Sequence, residues 1–291
     1  MQLGMIGLGK MGGNMKKRLE DRGHEVIGYD RDPDISDSRD LADLISRLEA
    51  PRAVWVMVPA GEATRSTIEQ LGDLLSDGDV VVDGGNSRFS DDQPHAELLA
   101  KRNIGFVDAG VSGGVWGLAN GYALMVGGAT NHVRHLMPIF DALKPEGEYG
   151  FVHAGGVGAG HYAKMVHNGI EYGMMQAYAE GYALMEASEA VTDVPAVVKS
   201  WRDGTVIRSW LLDLLDRALE DDPELNELRG WVDDSGEGRW TVEEAIRLRV
   251  ALPAITESLF ARYTSRDPDS DTMKAVAALR QQFGGHAVKP E

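Results

Sequence analysis

A glycine turn stands directly behind the first apolar run of this chain: Gly7-Leu8-Gly9-Lys10-Met11-Gly12 follows the run that begins at Leu3 and opens a helix-like segment. No other feature limits the fold as tightly. In a G-x-G-x-x-G turn the first glycine permits a sharp bend and the second lets backbone approach a pyrophosphate. The third packs helix onto strand, so the helix N-terminus faces the phosphate charge. The next apolar run, His24 to Tyr29, ends at Asp30, which lies about 20 residues beyond the turn, where a carboxylate accepts hydrogen bonds from an adenine ribose. That placement favours NAD, whereas the adjacent Arg31 would suit the 2′-phosphate of NADP.

Further apolar runs at Ala53 to Val58, Asp79 to Val82, Ile104 to Asp108 and Ala123 to Val126 alternate with amphipathic segments. Strands alternating with helical connections imply a mostly parallel, doubly wound sheet. The glycine-rich stretch Phe151 to Gly160 is expected to lead the chain out of that sheet. From His161 the pattern turns helical: a long segment to about Ser188, then Val194 to Ser200, Ser209 to Glu220, Thr241 to Tyr263 and Asp271 to Phe283, punctuated by Pro223, Pro253 and Pro268. The expected architecture is α/β: a Rossmann-type dinucleotide-binding domain over 1–158, then an all-α substrate and oligomerisation domain over 159–291.

Charge narrows the partners. Acidic residues outnumber basic ones 46 to 29, for a net charge of -17, which argues against a nucleic-acid or anionic-membrane surface. Cysteine is absent, so disulfides and thiolate chemistry are excluded. No apolar run reaches the ~20 residues of a membrane span. The first residues lack the basic region of a signal peptide and reach Lys10 too soon for its apolar core, so a cytoplasmic protein is expected. His132 and His135 share helical spacing without a carboxylate pattern, and no metal is expected.

Chemistry concentrates in Lys164-Met-Val-His167-Asn168-Gly-Ile-Glu171-Tyr172. At 100° per residue Lys164, His167, Asn168 and Glu171 fall within roughly 100° of arc, so all four can face one cleft. The strand ends Val58-Pro59-Ala60 and Asp83-Gly84-Gly85-Asn86-Ser87 would face a bound cofactor, and Asn86 could serve nicotinamide or substrate. After the fifth run, the hydroxyl and exposed amides of Ser112-Gly113-Gly114 could hold a substrate carboxylate.

Taken in order, the glycine turn, Asp83 to Ser87, Val111 to Gly114 and Gly158-Ala-Gly-His161-Tyr-Ala-Lys164 through Tyr172 resemble decarboxylating 6-phosphogluconate dehydrogenase, in the short form of that family. The wider β-hydroxyacid dehydrogenase group shares the nucleotide motif, the Ser-Gly-Gly loop and the lysine, but not the His-Asn-Gly-Ile-Glu-Tyr continuation. The resemblance implies that Lys164 takes the hydroxyl proton as hydride leaves, which desolvation or nearby positive charge favours. It implies that Glu171 protonates carbon 1 of the enediol left by decarboxylation, with His167 and Asn168 orienting hydroxyls and the developing oxyanion. It assigns the substrate phosphate to Tyr172, Arg262 and Arg239, the last standing where long members carry lysine. Arg280 and His286 repeat a spacing that, in the family, completes a neighbouring subunit's site, so a homodimer or homotetramer is expected. The alternatives are a β-hydroxyacid dehydrogenase acting on a non-phosphorylated acid such as 3-hydroxyisobutyrate, and a non-enzymatic dinucleotide-binding sensor.

Overall fold

A computed structural model describes residues 1–284; His286 lies outside them. The chain divides into two compact units, the first ending at His167 and the second beginning at Asn168.

The first unit is a seven-stranded sheet in the order β2-β1-β3-β4-β5-β6-β7, with strands β1 (Gln2–Ile6), β2 (Glu25–Tyr29), β3 (Ala53–Val56), β4 (Val80–Asp83), β5 (Gly105–Ser112), β6 (Ala123–Gly128) and β7 (Phe151–Gly155). Strands β1 to β5 are parallel to one another, β6 runs antiparallel to β5, and β7 is parallel to β6. Between them lie α1 (Lys10–Asp21), α2 (Leu41–Ser46), α3 (Glu62–Leu74), α4 (Phe89–Ala100), α5 (Gly117–Asn120) and α6 (Thr130–Leu143).

Burial on both faces explains why the central strands read as unbroken apolar runs rather than alternating ones. In β3, Ala53 and Trp55 join Met15 and Leu19 of α1 and Phe140 of α6 in one core layer. Val54 and Val56 join Leu44 of α2, Ile68 of α3 and Leu99 of α4 in the other. Arg18 of α1, though charged, is buried because its guanidinium donates to the carbonyls of Leu118, Ala142, Leu143 and Lys144 at 2.9–3.1 Å. Three of these carbonyls close the C-terminal end of α6, where a cation also meets the helix dipole favourably.

Two expectations are corrected. Phe151 to Gly155 does not leave the sheet but forms its seventh strand. Phe151 stacks on Phe140 at 5.4 Å, and the Leu124 amide donates to Gly150 O at 2.8 Å. A short strand with alternating exposure and a terminal glycine has the composition of a loop. Thr241 to Tyr263 is not one helix but two, α10 (Glu237–Leu248) and α11 (Pro253–Ser265). Arg249 turns left-handed (φ 60) to end the first, and Pro253 begins the second, where its missing N–H has no helical partner to lose.

Helix α7 (Ala159–Glu186) is 28 residues long and carries the chain from the first unit into the second. The second unit continues with α8 (Val194–Ser200), α9 (Trp210–Asp221), α10, α11 and α12 (Asp271–Gly284). Asp193 and Ser209 cap α8 and α9 through the Ala196 and Leu212 amides, and Val194, Val198, Leu212 and Leu219 form a small core there.

Candidate active site

The order β2-β1-β3-β4 places the direction reversal of the sheet between β1 and β3, the position at which an open α/β sheet binds ligands beyond its strand ends. A cleft of about 580 Å³ opens there. Gly7, Gly9, Lys10, Met11 and Gly12 line it from β1 and α1, and Asp30 and Arg31 line it from the end of β2. Val58, Pro59 and Asn86 line it from the ends of β3 and β4.

Each glycine of the turn has its own physical reason. Gly7 sits at φ 88, a left-handed conformation costly for other residues, and a side chain there would overlap the Met57 carbonyl oxygen. A Cβ on Gly12 would overlap the Gly7 carbonyl oxygen, so this glycine seats α1 against the strand. A Cβ on Gly9 would meet nothing within 4 Å, because it points into the open cleft. Leu8 does not line the cleft through its side chain, which is 8% exposed; its amide donates to Asp30 Oδ2 at 2.6 Å. Asp30 Oδ1 accepts the Asp32 amide at 3.0 Å, and each carboxylate oxygen retains a lone pair for a ribose hydroxyl.

Lys164 is half-buried on α7 beside β5, where Gly110 leaves room for the lysine's Cβ. Strand β5 runs through Ser112, and Gly113 and Gly114 follow at φ 146 and 53, values that favour glycine at both positions. On α7, Asn168 and Tyr172 are buried, Glu171 is half-buried and His167 is exposed.

Beneath this surface lies a polar cluster that residue spacing did not reveal. Asp108, fully buried in β5, accepts the amides of Gly158 and His161 at 2.7 and 2.9 Å and so anchors the start of α7. His161 Nδ1 lies 2.9 Å from both carboxylate oxygens of Asp92 in α4. Burial pulls the His161 imidazole down, but the Asp92 bond and the charges of Asp83, Asp92 and Asp108 outweigh it and carry its pKa to about 9. Burial pushes Asp92 up to about 7 against the opposing pull of His161. The sequence signal was an aspartate closing an apolar strand run at both Asp83 and Asp108.

In the second unit one cation lies against Tyr172. The Arg262 guanidinium lies over the Tyr172 ring, 3.4 Å from its centroid, and Arg262 donates to Asp233 O at 3.1 Å. The Tyr172 hydroxyl is 3.1 Å from Ser235 Oγ. Arg239 donates to Asp234 Oδ2 at 3.0 Å, so its charge is partly committed to that carboxylate. Arg280 is exposed on α12.

A dinucleotide satisfies the demands of the first unit's cleft: an open floor at Gly9, a helix N-terminus behind it and a carboxylate at the ribose position. The chain is therefore a Rossmann-type nucleotide-binding protein. Residues 2–150 match the NAD binding domain of 6-phosphogluconate dehydrogenase, and 160–289 match the 6-phosphogluconate dehydrogenase C-terminal domain. The chain belongs to the 6-phosphogluconate dehydrogenase family. It is 42% identical to YqeC of Bacillus subtilis, provisionally named a 6-phosphogluconate dehydrogenase, over 99% of each chain. It is 41% identical to the NAD(+)-dependent, decarboxylating 6-phosphogluconate dehydrogenase of Haloferax volcanii, over 99% of this chain and 98% of that one. The Plasmodium falciparum 6-phosphogluconate dehydrogenase, solved apo, with its cofactor NADP+ and with its substrate 6-phosphogluconate, superposes with a TM-score of 0.84 at 25% identity; the match covers 100% of this chain and 67% of that one. No helix among the described residues is long and apolar enough to cross a membrane.

Proposed function

We propose that this chain oxidises 6-phosphogluconate at carbon 3 and releases its carboxyl group as carbon dioxide, giving ribulose 5-phosphate. The observation that carries this reading is the match of both family domains along one chain whose α7 retains Lys164, Asn168 and Glu171 on one stripe. The 1–158 segment serves as nucleotide domain and 159–291 as substrate domain. NAD is the preferred oxidant, because Asp30 repels a 2′-phosphate; the name of the Haloferax relative supports the same preference.

The bound dinucleotide supplies the hydride acceptor. Lys164, half-buried beside β5, takes the hydroxyl proton of carbon 3. Ser112, Gly113 and Gly114 hold the substrate carboxylate while Asn86, His167 and Asn168 orient its hydroxyls. Once the ketone has formed it accepts the electrons of the departing carboxylate, and Glu171 delivers a proton to carbon 1 of the enediol. Tyr172, Arg262 and Arg239 bind the phosphate, with Arg262 already fixed over the tyrosine ring. Arg280 and His286 reach the site of a second copy, so the working form is a homo-oligomer, and it acts in the cytoplasm.

Initial rates with NAD+ or NADP+ on 6-phosphogluconate, gluconate and 3-hydroxyisobutyrate, with carbon dioxide measured alongside, test this reading. Turnover of 6-phosphogluconate with one carbon dioxide per reduced cofactor is expected. Turnover confined to a non-phosphorylated acid would contradict it.

A further inference from the structure

We propose that Asp92 is a positioning residue for Lys164: its buried pairing with His161 clamps the first turn of α7 and sets where the lysine amine points. The inference rests on the reading of Lys164 given above. His161 and Lys164 stand three positions apart on α7, so they are neighbours on its surface, separated by about 4.5 Å of rise. Side-chain exposure is 1% at His161 and 0% at Asp92, so the pairing is sealed from water.

Three further contacts fix the same turn. Asp108 accepts the Gly158 and His161 amides. Gly160 lies so close to β5 that a Cβ would stand 2.7 Å from Asp108 O. Phe89 of α4 meets Tyr162 edge to face at 5.0 Å. Asp92 is thus the α4 member of a charged seam joining that helix, which follows the Asn86 loop, to the helix that carries the lysine. A buried ion pair seldom stabilises a fold better than apolar residues of the same volume, but it permits few geometries. Tilting the first turn by about 10° would move an amine some 6 Å away by about 1 Å, and a displacement of that size can cost about 100-fold in rate.

The test compares full-length wild type with Asp92→Asn, using 6-phosphogluconate deuterated at carbon 3. The variant is expected to lose at least 10-fold in kcat and to show a larger isotope effect, with KM and the NADH Kd within about threefold of wild type. His161→Asn, which restores an N–H near the Nδ1 position, should retain more activity than His161→Leu. A second readout needs no substrate: the acylation rate of the Lys164 amine, read by peptide mass spectrometry, should differ at least fivefold in Asp92→Asn while other lysines stay within twofold. Wild-type inactivity on 6-phosphogluconate would defeat the functional reading and leave this readout standing. An unchanged kcat beside a lowered Tm, an unchanged Lys164 acylation rate, or a stoichiometric divalent metal in the purified protein would each overturn the positioning role.

Discussion

Gly110 and Lys164 are in mutual contact across β5 and α7, so close that a methyl group on the glycine would overlap the lysine's Cβ. The glycine is what lets the amine-bearing turn lie flat on the strand. Gly110→Ala must push α7 outward, because the obstacle is the root of the lysine and not its flexible end. Turnover is expected to fall at least 100-fold while dinucleotide affinity changes little, since Gly110 does not line the cleft. Steady-state rates set beside a fluorescence titration with NADH will separate the two effects.

Gly9 and Gly12 belong to one motif but should fail differently. Gly12→Ala drives a methyl into the Gly7 carbonyl and should destabilise the whole unit by about 1–3 kcal/mol. Gly9→Ala meets no protein atom, so the Tm should stay within a degree or two while NADH affinity drops 10-fold or more. Melting curves and NADH titrations of both variants distinguish a packing glycine from a ligand-facing one. Equal loss of stability in the two would contradict the assignment.

What could be read from sequence was what local backbone chemistry dictates. The glycine turn and Asp30 are legible because φ limits, close approach and strand-end position are written in neighbouring residues. The break between α10 and α11 was half legible: Pro253 marked it, but the apolar residues leading up to it, Leu248, Val250 and Leu252, gave no sign that the first helix stops at Leu248. Strand β7 was lost because a five-residue strand ending in glycine resembles a loop in composition. The Asp92–His161 pairing joins residues 69 positions apart, and no periodicity reports which buried charge meets which. The stripe of Lys164, Asn168 and Glu171 was legible through helical period alone, whereas Gly110, which seats it, was not.

Arg262 and Arg239 should weigh unequally on the phosphate. Arg262 is held over Tyr172, whereas Arg239 is shared with Asp234. Arg262→Ala is expected to raise KM for 6-phosphogluconate by more than 10-fold, and Arg239→Ala by a smaller factor, with KM for NAD unchanged in both. A stability loss of about 1 kcal/mol should accompany Arg262→Ala as the cation–π contact disappears. Substrate-dependence curves for the two variants decide the order.

His161 and Asp92 both bind protons more tightly when folded than when unfolded. A group of that kind adds stability that is complete below its unfolded pKa and vanishes as pH rises through its folded one. For Asp92 the window runs from 3.8 to about 7, and for His161 from 6.5 to about 9. Stability should therefore decline between neutral pH and about pH 9, by an amount on the order of 3 kcal/mol from the histidine. Denaturant midpoints across that range should fall in wild type and flatten in Asp92→Asn; parallel slopes would remove the pair as the cause.

The most direct measurement takes the amine away. Lys164→Met retains much of the side-chain length without a titrating group, and single-turnover mixing with NAD+ and 6-phosphogluconate reads the hydride step as NADH absorbance. The signal is expected to fall by at least 1,000-fold while calorimetry gives an NADH affinity within threefold of wild type. Hydride transfer at more than a tenth of the wild-type rate would contradict Lys164 as the base.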